Sequence, residues 1–401
     1  MMRKKLMLLG GIRYLLPVIR AAHAQGYHVI TADYLPDNIA HQYSDDYVNV
    51  SIVDREAVLE AAREKAIDGI LSFGVDPGVV SAAYVQEQMG LPSSGPLRST
   101  EILQNKDEFR KFLKENGFNV PESRSYASLE EAMQDRPRIN YPVVVKPTDS
   151  AGSKGVSRVD GAEEMESALQ TAFRHSIKRR VIVEEYIGKK GFSSDTDSFS
   201  VDGKLSFVSF NAQWFDAEAA NPFTPAAYSW PSTFTNEQEK YLTDEIQRLI
   251  SLLGLGTAVY NIETRIGTDG KPYIMELTPR GGGNRLCEML RYATGTDLIA
   301  ALVRFAVGDS VPEVRQRPYK GHWAEVILHA DRNGSFERLD IASDLPAEVV
   351  ERDLWVKRGD LVQAFRGAND AIGTLVLRFE DAEAMRHALS HQREWLKVIT
   401  G

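Results

Sequence analysis

The stretch "VYNIETRIGTDGKPYIMELTPRGGGNRL", residues 259–286, holds the residues with the most chemistry to offer. Thr268-Asp269-Gly270 reads as a tight turn between two apolar-rich segments, so the pattern predicts a β-hairpin of 259–265 with 272–277. Glu263 and Glu276 then fall on facing strands, where they could address one point. Two converging carboxylates among Ile262, Ile274, Met275 and Leu277 repel each other and are costly unless a cation lies between them. Mg2+ is the natural candidate, because it takes a few carboxylates together with substrate phosphates. Arg280 follows at once, placed to meet charge at the same point, and Gly281-Gly282-Gly283 would let backbone approach a ligand closely. The competing reading, a solvated hairpin with outward acids, fits poorly with the apolar neighbours.

A second candidate is "VVVKPTDSAGSKGV", residues 143–156. Residues 143–145 read as a buried strand ending at Lys146, and lysine is rarely buried without a partner. The loop after it, with Ser150, Gly152, Ser153 and Gly155, offers backbone N–H groups with little side chain in the way, a concavity suited to phosphate. The order of a P-loop is absent, and a surface hairpin with an incidental lysine is the competing reading. "RVIVEEYIG" supplies a further buried strand, 181–183, ending in Glu184, Glu185, Tyr186 and Ile187. A strand leaving a sheet there could offer an adenine ring the Glu185 carbonyl and the Ile187 N–H; an ordinary strand with solvated acids is the alternative.

These segments need elements to hold them. The first 95 or so residues alternate short apolar strands with helices, a small parallel α/β unit. Its first turn, "GGIRYLLP", lacks the G-x-G-x-x-G spacing of a dinucleotide site. Asp76 follows a parallel strand at its carboxyl end, where α/β ligands bind, and is a candidate for an incoming amine. "GLPSSGPLRST", 90–100, reads as a linker, and "NKDEFRKFLKENG" as an amphipathic helix with Lys106 at its start. Residues 211–232 read as an irregular aromatic stretch. It contains Trp214, Phe223, Tyr228 and Trp230, and forms either a substrate wall or packing between lobes. Arg285 could pair bidentately with a substrate carboxylate, or simply cap a helix. Beyond about 310 the pattern turns to strands at 322–330, 359–365 and 373–379 and a helix at 381–389. The expected division is 1–95, 96–187, 188–307 and 308–401.

The whole chain has 401 residues, about right for three packed units, with 43% hydrophobic and 26% charged residues. Its formal charge of −9 is spread through the chain, leaving no basic footprint for nucleic acid or membrane. Cys287 stands alone, which excludes an intrachain disulfide and suits a reducing, cytoplasmic setting. The basic start "MMRKKLMLLGGI" resembles an export signal, but Arg13 interrupts the apolar run, so a first strand is expected instead. No apolar run nears the roughly 18 residues of a membrane helix. The histidines are scattered and suggest no zinc site.

Taken in order, the lysine-ended strand, glycine loop, acid-aromatic hinge, paired glutamates and arginine resemble the ATP-grasp superfamily. The likeness is to the group that includes carbamoyl-phosphate synthase halves, biotin carboxylase and the L-amino-acid ligases. It implies an α/β fold with α+β elements: a parallel pre-ATP-grasp unit, a two-lobed ATP-grasp domain and a small C-terminal α+β region. It implies Lys106 and Lys146 on the ATP phosphates and a mobile loop at 150–155. It further implies an adenine hinge at Glu184, Glu185 and Ile187, and a ribose contact at Asp195, although "KKGFSSDTD" departs from the usual G-x-E. Glu263 and Glu276 would hold Mg2+ (or Mn2+), with Thr278 standing where many members have a ligating asparagine, and Arg280 would stabilise the transferred phosphate. The implied chemistry joins a carboxylate to an amine through an acyl phosphate, releasing ADP and phosphate. A carboxylase or carbamoyl-phosphate-type reaction, or ATP binding alone, are the alternatives. A homodimer is a further implication.

Overall fold

The computed structural model describes residues 3–150 and 154–401; Gly152 and Ser153 of the expected phosphate loop lie outside them. Strands β1 (Lys5–Leu9), β2 (His28–Asp33), β3 (Asp46–Asn49) and β4 (Gly69–Ser72) pair in parallel in the order β3-β2-β1-β4. Leu6, Met7, Leu8 and Leu9 are all fully buried, as a central strand covered on both faces requires. The cover comes from α1 (Leu16–Ala24), α2 (Arg55–Lys65) and α3 (Val79–Met89). Strand order reverses between β1 and β4, so their carboxyl ends flank the crevice where such sheets receive ligands. Residues 73–76 lie there.

Helices α4 (Leu97–Gln104) and α5 (Lys106–Glu115) lead into a second sheet. It contains β5 (Ser123–Tyr126), β6 (Val143–Pro147), β7 (Ser157–Val159) and β8 (Val181–Glu185), antiparallel in the order β5-β8-β6-β7. Alternation along the strands sorts the side chains. Val143, Val145, Val181 and Val183 form a core with Met165 and Leu169 of α7 (Met165–His175), next to α6 (Leu129–Asp135). Lys146 and Glu184 occupy the alternate positions, so they emerge on the opposite face.

The third sheet contains β9 (Ser194–Val201), β10 (Lys204–Phe207) and the expected hairpin, β13 (Ala258–Ile266) with β14 (Pro272–Thr278), in the order β10-β9-β13-β14. Ile262, Ile274 and Leu277 pack in one core with Leu242, Ile246 and Leu249 of α8 (Asn236–Leu252). That helix starts at a complete capping box, Thr235 with Gln238. The residues between are not irregular. They form β11 (Ala212–Phe215) and β12 (Pro225–Trp230), and Tyr228 and Trp230 are fully buried. Helices α9 (Leu286–Thr294) and α10 (Leu298–Ala306) follow.

The C-terminal region adds β15 (His322–Leu328), β16 (Gly334–Ile341), β17 (Glu348–Leu354), β18 (Leu361–Val362), β19 (Gly373–Phe379), α11 (Ala382–Ser390), α12 (Gln392–Trp395) and β20 (Leu396–Thr400). β12 pairs with β15, giving a five-stranded sheet β11-β12-β15-β19-β17 that straddles the boundary expected at 307/308. Among the described residues, no helix is long and apolar enough to cross a membrane.

Candidate active site

The hairpin register makes Glu263 and Glu276 direct cross-strand partners, which brings the two carboxylates to one place. Each has a cation of its own. Arg265 Nη2 lies 3.2 Å from Glu263 Oε1, and Lys106 Nζ lies 3.7 Å from Glu276 Oε1. Lys106 stands at the first position of α5 and also donates to the Ser150 carbonyl at 2.9 Å. The Glu276 carboxyl is held below its usual range, chiefly by Lys106 against the cost of burial, with Arg280 and Lys146 adding to the effect. Positive charge from Lys106, Arg280, Lys146 and Arg110 thus bears on Glu276.

Strand parity extends this face. Asp195 pairs with Glu263, Asp197 with Asn261, and Asn261 with Thr278. Asn261 Nδ2 donates to Asp195 Oδ1 at 2.9 Å and Asp197 Oδ1 at 3.2 Å. Burial, followed by the charge of Glu263, pushes the Asp195 carboxyl up to about 7, and burial pushes Asp197 up to about 6. Asp195 is thus part of the carboxylate face, with its Oδ1 accepting from Asn261. Thr278 is buried and its hydroxyl accepts from Gln104 Nε2 at 3.3 Å. An amide does occur beside it, but from the neighbouring strand: Asn261. No group of three or more acidic, histidine or cysteine side chains poised around one metal occurs among the described residues. Two carboxylates on facing strands of one hairpin still fit Mg2+, whose remaining ligands are normally phosphate oxygens and water.

Lys146 is positioned by a buried triad. Its Nζ lies 2.6 Å from Glu184 Oε2, and Glu184 Oε1 accepts from Arg110 Nε at 2.7 Å. Arg110 also donates to the carbonyl of Met275, the residue before Glu276. Both Glu184 side-chain oxygens are therefore taken by cations. Burial would raise its carboxyl, but Arg110 and Lys146 bring it down to about 2. Among the described residues, the Ile187 N–H takes no hydrogen-bond partner, and Ile187 packs with Tyr273 and Met275 in a small apolar cluster. Arg265 Nη1 donates to the Ile187 carbonyl at 3.0 Å, tying the hinge to Glu263. The Glu185 side chain, two residues from Val183, belongs to the opposite face of β8; its N–H bonds the Glu122 carbonyl.

Arg280 joins the first unit to the third. Its Nε and Nη2 both donate to Asp76 Oδ1, at 2.9 and 2.7 Å. Burial would lower its affinity for the proton, but Asp76 raises it. Asp76 thus orients Arg280, at the carboxyl end of β4. Close packing within the protein already requires glycine at 281 and 282. A Cβ at Gly281 would lie 2.0 Å from the Phe73 ring, and one at Gly282 would lie 2.6 to 2.9 Å from Leu286, Asn261 and Asp197. The Gly282 N–H donates to Asp197 Oδ1 at 2.9 Å.

Two further expectations change. Arg285 is bound by Glu288 and Glu351, at 3.2 and 2.9 Å, and has no free fork for a substrate. It also starts α9 with a left-handed φ of 57°. Trp214 is buried against Phe192, with Nε1 donating to Ser229 at 2.9 Å, and is core and not substrate wall. Four residues escaped the sequence: Arg110, Arg265, Asn261 and Asp197. The last three lie two positions from Glu263 or Asp195, so the period of a strand was signal enough. Arg110 looked like any charge on an amphipathic helix.

Residues 139–288 match the ATP-grasp domain family. The carbamoyl phosphate synthase large chain of Thermotoga petrophila is 24% identical over 292 residues, covering 72% of this chain and 26% of that one. The formate-dependent phosphoribosylglycinamide formyltransferase of a Synechococcus species is 32% identical over 186 residues, 46% of this chain and 48% of that one. The chain thus spans about a quarter of the first of these relatives and about half of the second. Among solved structures, an L-amino acid ligase from Bacillus licheniformis superposes with a TM-score of 0.83 at 21% identity over 100% of both chains. The N5-carboxyaminoimidazole ribonucleotide synthetase of Thermotoga maritima gives 0.75 at 18%, over 99% of this chain and 100% of that one. At these identities the structural likeness speaks for the fold.

Proposed function

Residues 139–288 of this chain are an ATP-grasp domain, and from that premise we propose that the protein is an ATP-dependent carboxylate–amine ligase. The observation that carries this reading is the Glu263/Glu276 cross-strand pair, with Lys106 Nζ 3.7 Å from Glu276. Binding a nucleotide alone needs no such device at the phosphate end.

In this reading ATP lies between the second and third sheets, its base in the apolar slot of Ile187, Tyr273 and Met275 with the Ile187 N–H as donor. Lys146, fixed by Glu184, and Lys106 meet the phosphates. Glu263 and Glu276 would hold Mg2+, which when bound would offset charge on the phosphate oxygens. A substrate carboxylate oxygen attacks the γ-phosphorus and ADP leaves, giving an acyl phosphate. Arg280, held rigid by Asp76, stabilises charge on the transferred group without reorganising. The amine nitrogen then attacks the acyl carbon, phosphate leaves with the former carboxylate oxygen, and the amine gives up a proton.

The test follows that oxygen. With an 18O-labelled carboxylate substrate, ATP and amine, one label must appear in the released phosphate. Label retained wholly in the amide and unreacted acid rules the acyl phosphate out.

A further inference from the structure

The chain that leaves the second sheet at Ile187 is stitched at once to the glutamate hairpin. The Gly188 carbonyl accepts from the Thr268 N–H at 2.8 Å, the Lys190 N–H donates to the Ile266 carbonyl at 2.8 Å, and Lys189 forms an isolated bridge with Gly267. Backbone alone makes these bonds. One side chain joins them: Arg265 Nη1 donates to the Ile187 carbonyl at 3.0 Å, while Nη2 donates to Glu263 Oε1 at 3.2 Å.

Strand period brings the two functions together. Asn261, Glu263 and Arg265 alternate along β13 with the buried Ile262, Thr264 and Ile266, so they share one face. The Arg265 side chain is 20% exposed, and its Nε is buried without a hydrogen-bond partner among the described residues. An orphaned buried donor costs stability, so this arginine is engaged only through the two ends of its fork. Glu263 Oε2 takes no hydrogen bond among the described residues. A carboxylate that binds a metal is normally oriented by a second group, and losing that group weakens metal binding by about 10- to 100-fold. A rigid planar fork can serve two acceptors at a fixed spacing, which a lysine cannot.

We propose that Arg265 is a positioning residue that couples the nucleotide to the metal. One guanidinium holds the Ile187 carbonyl and Glu263 Oε1, leaving Oε2 for the cation. A nucleotide that settles the Ile187 segment thereby settles a metal ligand, and by linkage the metal tightens the nucleotide. This role rests on the proposed reading of Glu263 as a Mg2+ ligand and of Ile187 as the base contact; it needs neither an acid nor an amine.

Calorimetric titration with the non-hydrolysable β,γ-imido analogue of ATP reads the coupling as a ratio, affinity with Mn2+ over affinity with EDTA. Wild type, R265Q, R265K, E263Q and the R265Q/E263Q double variant are compared, with a melting curve for each. R265Q should cut the ratio about tenfold or more, R265K should not restore it, and R265Q should change nothing further in the E263Q background. An arginine that only supports the fold would weaken both affinities alike, and an unchanged ratio in R265Q overturns the proposal. A further fall when R265Q is added to E263Q also overturns it, because Arg265 would then act through some other group. If R265Q unfolds, R265K carries the same comparison. A ratio that falls in E263Q and not in the arginine variants removes the proposal alone. A ratio untouched by E263Q, or an analogue that does not bind the wild type, removes the reading of the metal ligand or of the nucleotide site, and the proposal with it.

Discussion

Lys146 Nζ stands 2.6 Å from Glu184 Oε2, and the other oxygen of that carboxylate is taken by Arg110 at 2.7 Å. One buried acid thus fixes a cation from the second sheet and a helix that also grips the backbone beside Glu276. Glu184→Gln should cost about 3–5 kcal/mol, because it leaves two cations facing one neutral amide. With its folded value at about 2 against an ordinary 4.5, Glu184 contributes stability that is present above pH 4.5 and lost as pH falls toward 2. Denaturant titrations at pH 7 and pH 3 should show the gap between wild type and variant narrowing in acid. A constant gap contradicts the triad.

Glu325 makes the opposite prediction. It is fully buried on β15, and neither carboxylate oxygen has a hydrogen-bond partner among the described residues. Burial raises its carboxyl well above the usual range, although the charge of Arg285 opposes the shift. Its share of stability is therefore complete below the unfolded value of 4.5 and lost as pH rises. Relative to Glu325→Gln, the wild type should weaken by about 1.4 kcal/mol per pH unit above that point. Parallel stability curves for the two proteins between pH 5 and 8 would refute this.

Gly282 separates Asp197 and Asn261 from α9. An alanine Cβ there would meet Leu286 Cδ1 at 2.6 Å and Asn261 Nδ2 at 2.8 Å. Overpacking of this kind costs about 1–3 kcal/mol. Asn261 must move, so kcat should drop more than stability alone explains. Steady-state kinetics beside a melting curve separates the two effects; an unchanged kcat would mean that Asn261 does not matter to the chemistry.

Arg280→Lys retains the charge and loses the fork that binds Asp76. A lysine cannot make both contacts, so the group meeting the transferred phosphate loses its fixed orientation. The expected fall in kcat is about 10²- to 10³-fold, with ATP binding, read by nucleotide titration, changed little. A fall confined to ATP affinity would place Arg280 elsewhere in the cycle.

The hairpin was legible because Thr268-Asp269-Gly270 marks a turn between two apolar-rich segments, but the pairing of Glu263 with Glu276 also needs the register shift between Glu263 and Thr264, which the sequence does not announce. Lys146 was legible as a lysine ending an apolar strand. What stayed hidden depends on pairing between distant segments. Asp195 looks like a loop acid until β9 is laid against β13, and Glu184 looks like a hinge residue until α5 brings Arg110 to it. The irregular reading of residues 211–232 failed for a similar reason: Ala212–Phe215 is only four residues long and needs β12 and β15 to become a strand. The strand Glu348–Leu354 begins with three consecutive exposed residues, Val349 and Val350 among them, so no alternating apolar pattern marks it.

The ligase assignment itself is tested most directly by ADP and phosphate release with Mg-ATP across a panel of acids and amines, comparing wild type with Glu276→Gln. The account predicts release that requires both an acid and an amine, vanishes with chelation of the metal, and falls at least a hundredfold in the variant while the fold is retained. Release that is indifferent to the acid, or undiminished in Glu276→Gln, would contradict it.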